Sequence, residues 1–492
     1  MSPASSVVTD SNLAFIDATT ATAAFRSGEL APSELLAAVA QRIRADAETE
    51  HRPVNAFTET MLDEAAGHAA AADAAYARAK REGAPTPPLL GIPVATKEKH
   101  GIAGRLLEQG LLACRGERAD RNHPVVDRIL AAGGIIHGRT TSPEFSCATV
   151  THSALWGVTR NPWNTDASPG GSSGGAGAAL AAGMATLATA SDIAGSTRIP
   201  AAFTGTVGYK APYGRIPGVP PLSADWYRGD GPMGRSVADT ALLASIMSGR
   251  DPLDHTSWGA QGALERADGD LRGLRIGLSM TLGDYPVASS IRTSTERVAA
   301  ALERAGAEIV PVRLPWTTER ISAISFAHFG QILGPAMARL TAGHEDALAA
   351  YTRDFIATAA EAASRTTMLD SIELDTELQL ELATAMSGLD ALLAPTQAME
   401  MLEADGDYLD GLELVDADGA IRRLDHYWQG HMTSPFNIAN RCPVLSVPSG
   451  ISSVGVPTGV QIVGHPFDEA MVFRIGAAVE RLVDMPKFPG MT

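Results

Sequence analysis

A stretch without any charged residue, residues 167–191, constrains the fold more than any other feature of this sequence. It begins in a Gly/Ser cluster and continues as Ala, Gly and Thr with few large apolar side chains. A membrane-spanning helix needs about 20 predominantly apolar residues, and this start is a poor one. We therefore expect a tightly packed helix of small residues over 176–188, and strand-like structure around 184–191 before a turn at Gly195.

Helical and strand-like patterns alternate along the rest of the chain. Helical spacing of Ala and Leu predicts helices within 13–50, with a new helix opening at Pro32, and at 60–82 and 125–132. Short apolar runs at 89–96 and 134–138 predict buried strands. This alternation is typical of an α/β layered sheet.

The second half of the chain is expected to be mostly helical at first and then to return to strands. Strands are expected at 274–278 and 308–312 within a helical region over 270–390. Residues 402–426 are acidic and are expected to form a loop. Two strands, 443–448 and 459–463, and a helix over 468–482 complete the prediction. No repeat or linker is evident, so one large domain fits better than several.

Composition excludes several classes of protein. The 492 residues include 39 basic and 56 acidic side chains, and the net charge of −17 disfavours nucleic acid and anionic membranes as partners. The three cysteines are far apart, which disfavours a disulfide framework or a structural zinc site. The first residues show no secretory signal, so we expect a cytoplasmic protein.

The Gly/Ser cluster fits a serine nucleophile better than a phosphate site. No Lys follows it as in a phosphate-binding loop, and its glycine spacing does not fit a dinucleotide fingerprint. A serine nucleophile needs a tight turn, nearby backbone N–H groups and a base. The turn that ends at Ser196 can supply the first two, but no histidine shares a motif with it.

Lysine usage indicates where a base could lie. The chain has five lysines, and the other 34 of its 39 basic residues are Arg. Arg does not deprotonate in proteins, whereas a buried Lys can. A lysine that serves as a base could not be replaced by Arg. The five candidates are Lys80, Lys97, Lys99, Lys210 and Lys487.

Several of these segments together resemble the amidase signature family. The motifs are GIPVATKEK at 91–99, GGSSGGAG at 170–177 and DIAGSTRIP at 192–200, with GYKAPYGRIP at 208–217 and FNIANRCPVLSVPSG at 436–450 in support. The resemblance implies a single α/β domain over 1–492, with a central mixed twisted sheet covered by helices on both faces. Its parts would be a signature core at about 85–240, a variable helical substrate-side segment at about 270–430 and a C-terminal part of the core at about 431–485.

The resemblance also implies the catalytic residues. Lys97 would be the base, Ser172 would relay a proton from a position after a cis peptide bond, and Ser196 would attack the substrate carbonyl. The backbone N–H groups of Ile193, Ala194, Gly195 and Ser196 would form the oxyanion hole. No cofactor and no metal are expected.

Other residues of these segments are given supporting roles. Ser173 is expected either to bind Lys97 or to cap a helix, and Asp192 and Arg198 are expected to be structural, paired with each other. Lys99, His100 and Lys210 are expected to be solvated or structural. Departures from the usual family motifs, such as Glu98 for Asp and Ala194 for Gly, remove no catalytic side chain. Aromatic surface for a substrate is expected from Tyr209, Tyr213, Trp226 and Tyr227.

The resemblance leaves the substrate open. We expect hydrolysis of a carboxamide-type bond in an uncharged small molecule: an aryl or alkyl amide, a linear or cyclic oligoamide or a carbamate, with esterase or urethanase side activity. NPWN at 161–164 is similar to the cyclic nylon-oligomer (6-aminohexanoate cyclic dimer) hydrolases. The alternatives are the amidotransferase subunit of a tRNA-dependent amidation complex, which the acidic charge disfavours, and a non-catalytic binding paralogue. The oligomeric state is open, with a homodimer among the options.

Overall fold

A mixed sheet of eleven strands lies at the centre of the part of the chain that the computed structural model describes, residues 10–260, 269–406 and 408–491. Residues 1–9, on which the absence of a secretory signal was partly based, lie outside the described residues. In chain order the strands are β1 (Phe57–Thr60), β2 (Pro93–Lys97), β3 (Ile135–Thr140), β4 (His152–Ser153), β5 (Gly157–Val158), β6 (Leu187–Asp192), β7 (Val207–Lys210), β8 (Gly229–Gly234), β9 (Arg275–Leu278), β10 (Glu308–Pro311), β11 (Ala391–Pro395), β12 (Leu412–Val415), β13 (Ile421–Leu424), β14 (Val444–Ile451) and β15 (Pro457–Gly464).

The large sheet has the order β1-β3-β2-β6-β8-β7-β14-β15-β11-β9-β10. Strand β2 is parallel to β3 and β6, and β9 is parallel to β10 and β11. In the middle of the sheet, each neighbouring pair in the order β6-β8-β7-β14-β15-β11 is antiparallel. The sheet is therefore mixed, as expected. Strands β2 and β6, which carry the signature segments, lie next to each other away from both sheet edges.

Helices surround this sheet. They are α1 (Asp10–Leu13), α2 (Ala18–Ser27), α3 (Pro32–Ala47), α4 (Leu62–Glu82), α5 (Pro124–Ala131), α6 (Gly174–Ala181), α7 (Arg198–Thr204), α8 (Val237–Met247), α9 (Ser289–Arg304), α10 (Thr318–Gln331), α11 (Leu333–Leu340), α12 (Ala350–Arg365), α13 (Met368–Ala385), α14 (Pro435–Ile438) and α15 (Glu469–Leu482). Most of the predicted elements are present, with ends shifted by a few residues.

Alternation along the strands places a hydrophobic core on each face of the sheet. In β11, Ala391 and Leu393 belong to one buried cluster, and Leu392 and Ala394 belong to the other. Successive side chains of a strand point to opposite faces, so a strand that is apolar throughout must be covered on both. The continuous apolar runs in the sequence therefore correspond to strands buried between two layers of helices.

The uncharged stretch forms the buried elements α6 and β6. The helix ends at Ala181, before the predicted residue 188, because Gly183 adopts a left-handed conformation with φ +70°. The strand begins at Leu187 and carries the chain to Asp192. No helix within the described ranges is long and apolar enough to span a membrane.

The acidic segment 402–426 is not all loop, contrary to expectation. It contains the antiparallel hairpin β12–β13. The turn is closed by Asp416, whose carboxylate accepts the N–H groups of Asp418 and Ala420, and by Gly419 at φ +81°. Leu414 and Leu424 are buried in the same hydrophobic core as Leu392 and Ala394. Burial of these two leucines stabilises the hairpin despite its acidic composition.

Small residues in α6 are required by close contact with neighbouring backbone. A Cβ added at Gly175 would lie 2.4 Å from Oγ1 and 2.6 Å from N of Thr141, and 2.8 Å from the carbonyl oxygen of Ala56. Exposed Gly67 in α4 has open space around the same position. We expect Gly175→Ala to lower the free energy of unfolding by about 1–3 kcal/mol through overpacking, and Gly67→Ala to raise it by about 1 kcal/mol through helix propensity.

Urea denaturation followed by circular dichroism measures both changes. A Gly175→Ala variant as stable as the parent would contradict this account of the packing of α6.

Candidate active site

Lys97 is the last residue of β2, and its side chain is fully buried. Its Nζ lies 2.6 Å from Oγ of Ser172 and 3.0 Å from the Oγ atoms of both Ser173 and Ser191. Among the described residues no carboxylate lies within ion-pair distance of this amine. Three hydroxyl groups therefore surround a buried amine that has no direct counter-ion.

This environment favours the neutral form of Lys97. Burial lowers the pKa of the amine well below its usual range, and the charges of Lys99 and Arg228 lower it further. The carboxylates of Asp230 and Asp192 act in the opposite direction and do not compensate. A buried amine in low dielectric loses the solvation of its charge, so protonation costs more free energy than it does in water.

Two serines besides Ser172 hold the amine of Lys97. Ser173 is at the N-cap position of α6, but its side chain makes no capping bond; it binds Lys97 and accepts the N–H of Ser191 at 3.2 Å. Of the two expected roles, the structure places it in contact with Lys97. Ser191 was not predicted from the sequence. Its spacing could have indicated it, because Ser191 lies two residues after Thr189 in β6 and the two side chains therefore point to the same face of the sheet. The hydroxyl of Thr189 accepts the backbone N–H of Lys97 at 2.9 Å.

Ser172 and Ser196 each precede a helix by two residues, Ser172 before α6 and Ser196 before α7. The Gly171–Ser172 peptide bond is cis. The N–H of Ser173 donates to the carbonyl oxygen of Ser196 at 3.2 Å, which joins the two segments. Ser172 has no exposed surface, whereas Ser196 is 5% exposed. Of the two serines, Ser196 is therefore the one that is accessible to solvent.

The turn before Ser196 requires glycine at position 195. Gly195 has φ +126°, and a Cβ there would lie 2.0 Å from Oγ1 of Thr433. Thr433 in turn donates its hydroxyl to the carbonyl oxygen of Ala194 at 2.6 Å, and Ser434 donates to the same oxygen at 3.3 Å. A segment from the C-terminal part of the chain thereby holds the turn in shape.

The predicted oxyanion donors are not equivalent. The N–H of Gly195 donates to Oδ1 of Asp192 at 2.7 Å, so in this conformation it is not free for a substrate oxygen. Within the described part of the chain, the N–H groups of Ile193, Ala194 and Ser196 have no protein acceptor. Three of the four predicted N–H groups, rather than all four, are therefore available to bind a negatively charged oxygen.

Asp192 and Arg198 form a fully buried ion pair, as expected. Arg198 donates from Nε and Nη2 to the two carboxylate oxygens at 3.0 and 2.9 Å. Its remaining bonds go to the carbonyl oxygen of Thr433 and to the side chains of Asn437 and Gln461. Burial alone would raise the pKa of Asp192, but Arg198 and hydrogen bonds hold it at about 2.

The four aromatic residues expected to offer substrate surface differ in accessibility. Tyr209 is fully buried, and its hydroxyl donates to Glu469 at 2.6 Å on α15. Tyr213 and Tyr227 are also buried, and their hydroxyls are engaged. The expectation of free aromatic surface therefore fails for these three, because each packs inward to satisfy its hydroxyl. Trp226 retains partial exposure.

A second cluster of titratable groups lies at the end of β2. Asp230 accepts hydrogen bonds from Lys99 and His100 at 3.2 and 3.0 Å, and His123 lies 3.3 Å away. The two histidines and the aspartate have suitable atoms for a metal ion. However, Nδ1 of His123 accepts the N–H of Val125, so its Nε2 carries the proton, and Lys99 would repel a cation. Their contacts favour a hydrogen-bonded carboxylate over a metal centre.

Lys210 is, like Lys97, a buried lysine, and its role is structural. Its Nζ donates to Oδ1 of Asn440 at 2.5 Å and to the carbonyl oxygen of Cys442 at 2.9 Å. Cys114, Cys147 and Cys442 are buried free thiols.

The chain is similar to known proteins over most of its length. Residues 34–473 match the family described as Amidase. A glutamyl-tRNA(Gln) amidotransferase subunit of Chloroflexus aurantiacus is 30% identical over 516 residues, covering 95% of this chain and 96% of the relative. The subunit of the same name from Mycobacterium tuberculosis is 32% identical over 500 residues, covering 94% of this chain and 97% of the relative.

Solved structures are similar over nearly the whole chain. A bacterial aryl acylamidase of the amidase signature family has a TM-score of 0.84 at 26% identity, covering 95% of this chain and 96% of that one. A 6-aminohexanoate cyclic dimer hydrolase has a TM-score of 0.78 at 25% identity, covering 97% and 100%. A peptide amidase has a TM-score of 0.75 at 28% identity, covering 94% and 97%.

The Asp192–Arg198 pair gives a prediction about stability. Arg198→Gln leaves a buried carboxylate without its counter-charge, which we expect to cost about 3–5 kcal/mol of unfolding free energy. The double variant Asp192→Asn/Arg198→Gln should recover part of this loss because no charge is left uncompensated. Urea denaturation of the single and double variants measures the coupling, and additive losses would contradict it.

The same pair has a defined pH dependence. The pKa of Asp192 is about 2 in the folded protein, below the ordinary value of 3.8. Its stabilising contribution is therefore complete above the ordinary value and is lost as the pH falls through the folded one.

Proposed function

Because this chain belongs to the Amidase family, we propose that it is an amidohydrolase with Ser196 as nucleophile, Ser172 as proton relay and Lys97 as base. As a member of the family it is an enzyme that acts on C–N bonds. The observation that carries the proposal is the 2.6 Å contact between the buried amine of Lys97 and the hydroxyl of Ser172.

The hydroxyls around Lys97 match the hydrogen-bonding capacity of a neutral amine. Such an amine has two N–H donors and one lone pair. Ser173 and Ser191, both at 3.0 Å, can accept the two N–H groups, and Ser172, at 2.6 Å, can donate its O–H to the lone pair. In this arrangement the oxygen of Ser172 is left free to accept the proton of Ser196. The amine is thereby prepared to act as the base.

The reaction proceeds in two halves. Ser196 transfers its proton to Ser172 as Lys97 takes the proton of Ser172, and the oxygen of Ser196 bonds to the substrate carbonyl carbon. The free N–H groups of Ile193, Ala194 and Ser196 stabilise the resulting oxyanion. Ser172 then protonates the leaving nitrogen and regains a proton from Lys97 as the C–N bond breaks. In the second half water transfers a proton through Ser172 to Lys97 and its oxygen bonds to the acyl carbon, and the same proton returns through Ser172 to the oxygen of Ser196 as the acyl group leaves. Lys97 returns to the neutral form at the end of the cycle.

The proposed substrate is a small molecule with an aryl or alkyl amide, a linear or cyclic oligoamide or a carbamate, and the enzyme could also cleave esters or urethanes. Similarity over most of the chain to an aryl acylamidase and to a 6-aminohexanoate cyclic dimer hydrolase supports this choice. We further propose that the enzyme acts in the cytoplasm without nucleic acid or membrane partners, either alone or as a homodimer.

The alternative function is that of the amidotransferase subunit in a tRNA-dependent amidation complex. Curated relatives with such a name are about 30% identical over nearly the full chain, which favours it. The net charge of −17 opposes it, because a partner of tRNA needs basic surface. Hydrolysis of amides by this chain alone would favour the amidohydrolase.

The first test is turnover of a graded panel of amides, esters and carbamates by the purified chain. We expect hydrolysis of at least one amide class, and we expect Ser196→Ala to reduce kcat by about 10⁴-fold or more because the nucleophile is lost. Ser364→Ala, an exposed serine in α12, is the matched control and should retain full activity. No turnover of any panel member would refute the proposal.

The second test concerns the base. Only neutral Lys97 can accept a proton, so activity should fall as the pH drops through its lowered pKa and level off above it. Lys97→Arg should be inactive because Arg stays protonated. Lys97→Ala should lose far more amide than ester hydrolysis, since an alkoxide needs less protonation than a leaving nitrogen. Amide hydrolysis at the parent rate in Lys97→Ala would exclude the role.

A further inference from the structure

A cavity of about 290 Å³ lies at the end of β2, beyond Lys99 and Asp230. Its wall combines apolar side chains, among them Phe145, Leu222 and Leu333, with charged ones. A volume near the lower end of the range for ligand pockets suits one part of a substrate rather than a whole one.

One residue of the cavity wall, Arg228, lies near the turn that carries Ser196. Gly229 pairs with Asp192 in the antiparallel β6–β8 ladder, so Arg228, one residue earlier, lies opposite Ile193. On the other side, Lys99 follows Lys97 by two residues at the end of β2. The cavity wall therefore includes residues from both segments that frame the candidate active site.

The charges in this wall do not cancel. The carboxylate of Asp230 is shared by Lys99, His100 and His123. Near the opening, Arg121 pairs with Asp120 at 3.4 Å. Arg228 is partly exposed, forms no ion pair with any described residue, and has a buried Nε without a hydrogen-bond partner. The guanidinium of Arg228 therefore has no counter-charge among the described residues.

We propose that this cavity is a subsite for a carboxylate group of the substrate, bound by the guanidinium of Arg228. The inference rests on the proposed function and narrows it: the preferred amide carries a carboxylate near the scissile bond. It also replaces the sequence-based expectation of an uncharged substrate. A planar guanidinium binds a carboxylate through paired hydrogen bonds, and the two terminal nitrogens of Arg228 supply the donors.

The test uses pairs of amides in which isopropyl replaces a carboxylate of similar shape. One pair, the 4-nitroanilides of succinic acid and of 4-methylpentanoic acid, varies the acyl side. The other, 4-acetamidobenzoate and N-(4-isopropylphenyl)acetamide, varies the amine side. For at least one pair we expect the acid to have the higher kcat/KM, and Arg228→Gln to reduce the acid-to-isopropyl ratio by about tenfold or more.

The ratio within a pair isolates binding of the carboxylate from other effects of Arg228. Loss of its charge also raises the pKa of Lys97, but that change acts equally on both members of a pair. Arg121→Gln, which removes an already paired guanidinium from the same cavity wall, is the matched control and should leave the ratio within about twofold. A ratio unchanged in Arg228→Gln, or one that falls only in Arg121→Gln, would overturn the proposal.

A binding measurement separates this inference from the proposed function. Calorimetric titration of the Ser196→Ala variant with each acid and its isopropyl counterpart needs no turnover. Tighter binding of an acid, lost in Ser196→Ala/Arg228→Gln, supports the subsite even if no amide is hydrolysed. Equal binding of acid and isopropyl compounds in both pairs rejects it, even where hydrolysis by Ser196 is established.

Discussion

The buried ion pair between Asp192 and Arg198 is the interaction on which the geometry of the candidate site depends. Asp192 ends the central strand β6, and Arg198 begins α7, so their bidentate contact sets the path of the turn between them. The same carboxylate accepts the N–H groups of Gly195 and Thr197. One charge pair thereby shapes the turn that presents Ser196.

The pair also joins distant parts of the chain. Arg198 binds the carbonyl oxygen of Thr433 and the side chains of Asn437 and Gln461, which lie in the C-terminal segments. Buried charges are tolerated only where their hydrogen-bonding groups are satisfied. Because these partners come from α14, β15 and the segment before α14, the turn is complete only when the C-terminal strands have joined the sheet.

The chemistry of Lys97 depends on a different constraint, the exclusion of water and counter-ions. The amine is fully buried and is surrounded by hydroxyls, while the two carboxylates that raise its pKa, Asp230 and Asp192, have their own cationic partners. A direct carboxylate contact would stabilise the ammonium form and raise the pKa of the amine. Distribution of the charges into separate pairs therefore favours the neutral form of the lysine within a region that contains several ions.

The sequence by itself determined the type of fold and the family. The runs of apolar residues predicted buried strands, and the uncharged stretch 167–191 predicted a closely packed helix followed by a strand. Both predictions depend only on local periodicity and side-chain size, which can be read directly from the sequence. The motifs around Lys97, Ser172 and Ser196 indicated the family, and a structural pairing of Asp192 with Arg198 was expected within one of these motifs. Long-range contacts were different. The roles of Ser191 and Thr433, the inward packing of Tyr209 and the unpaired charge of Arg228 depend on strand register and on segments hundreds of residues apart. Only the tertiary structure decided them, because no local pattern records which partner a polar side chain meets once the sheet has formed.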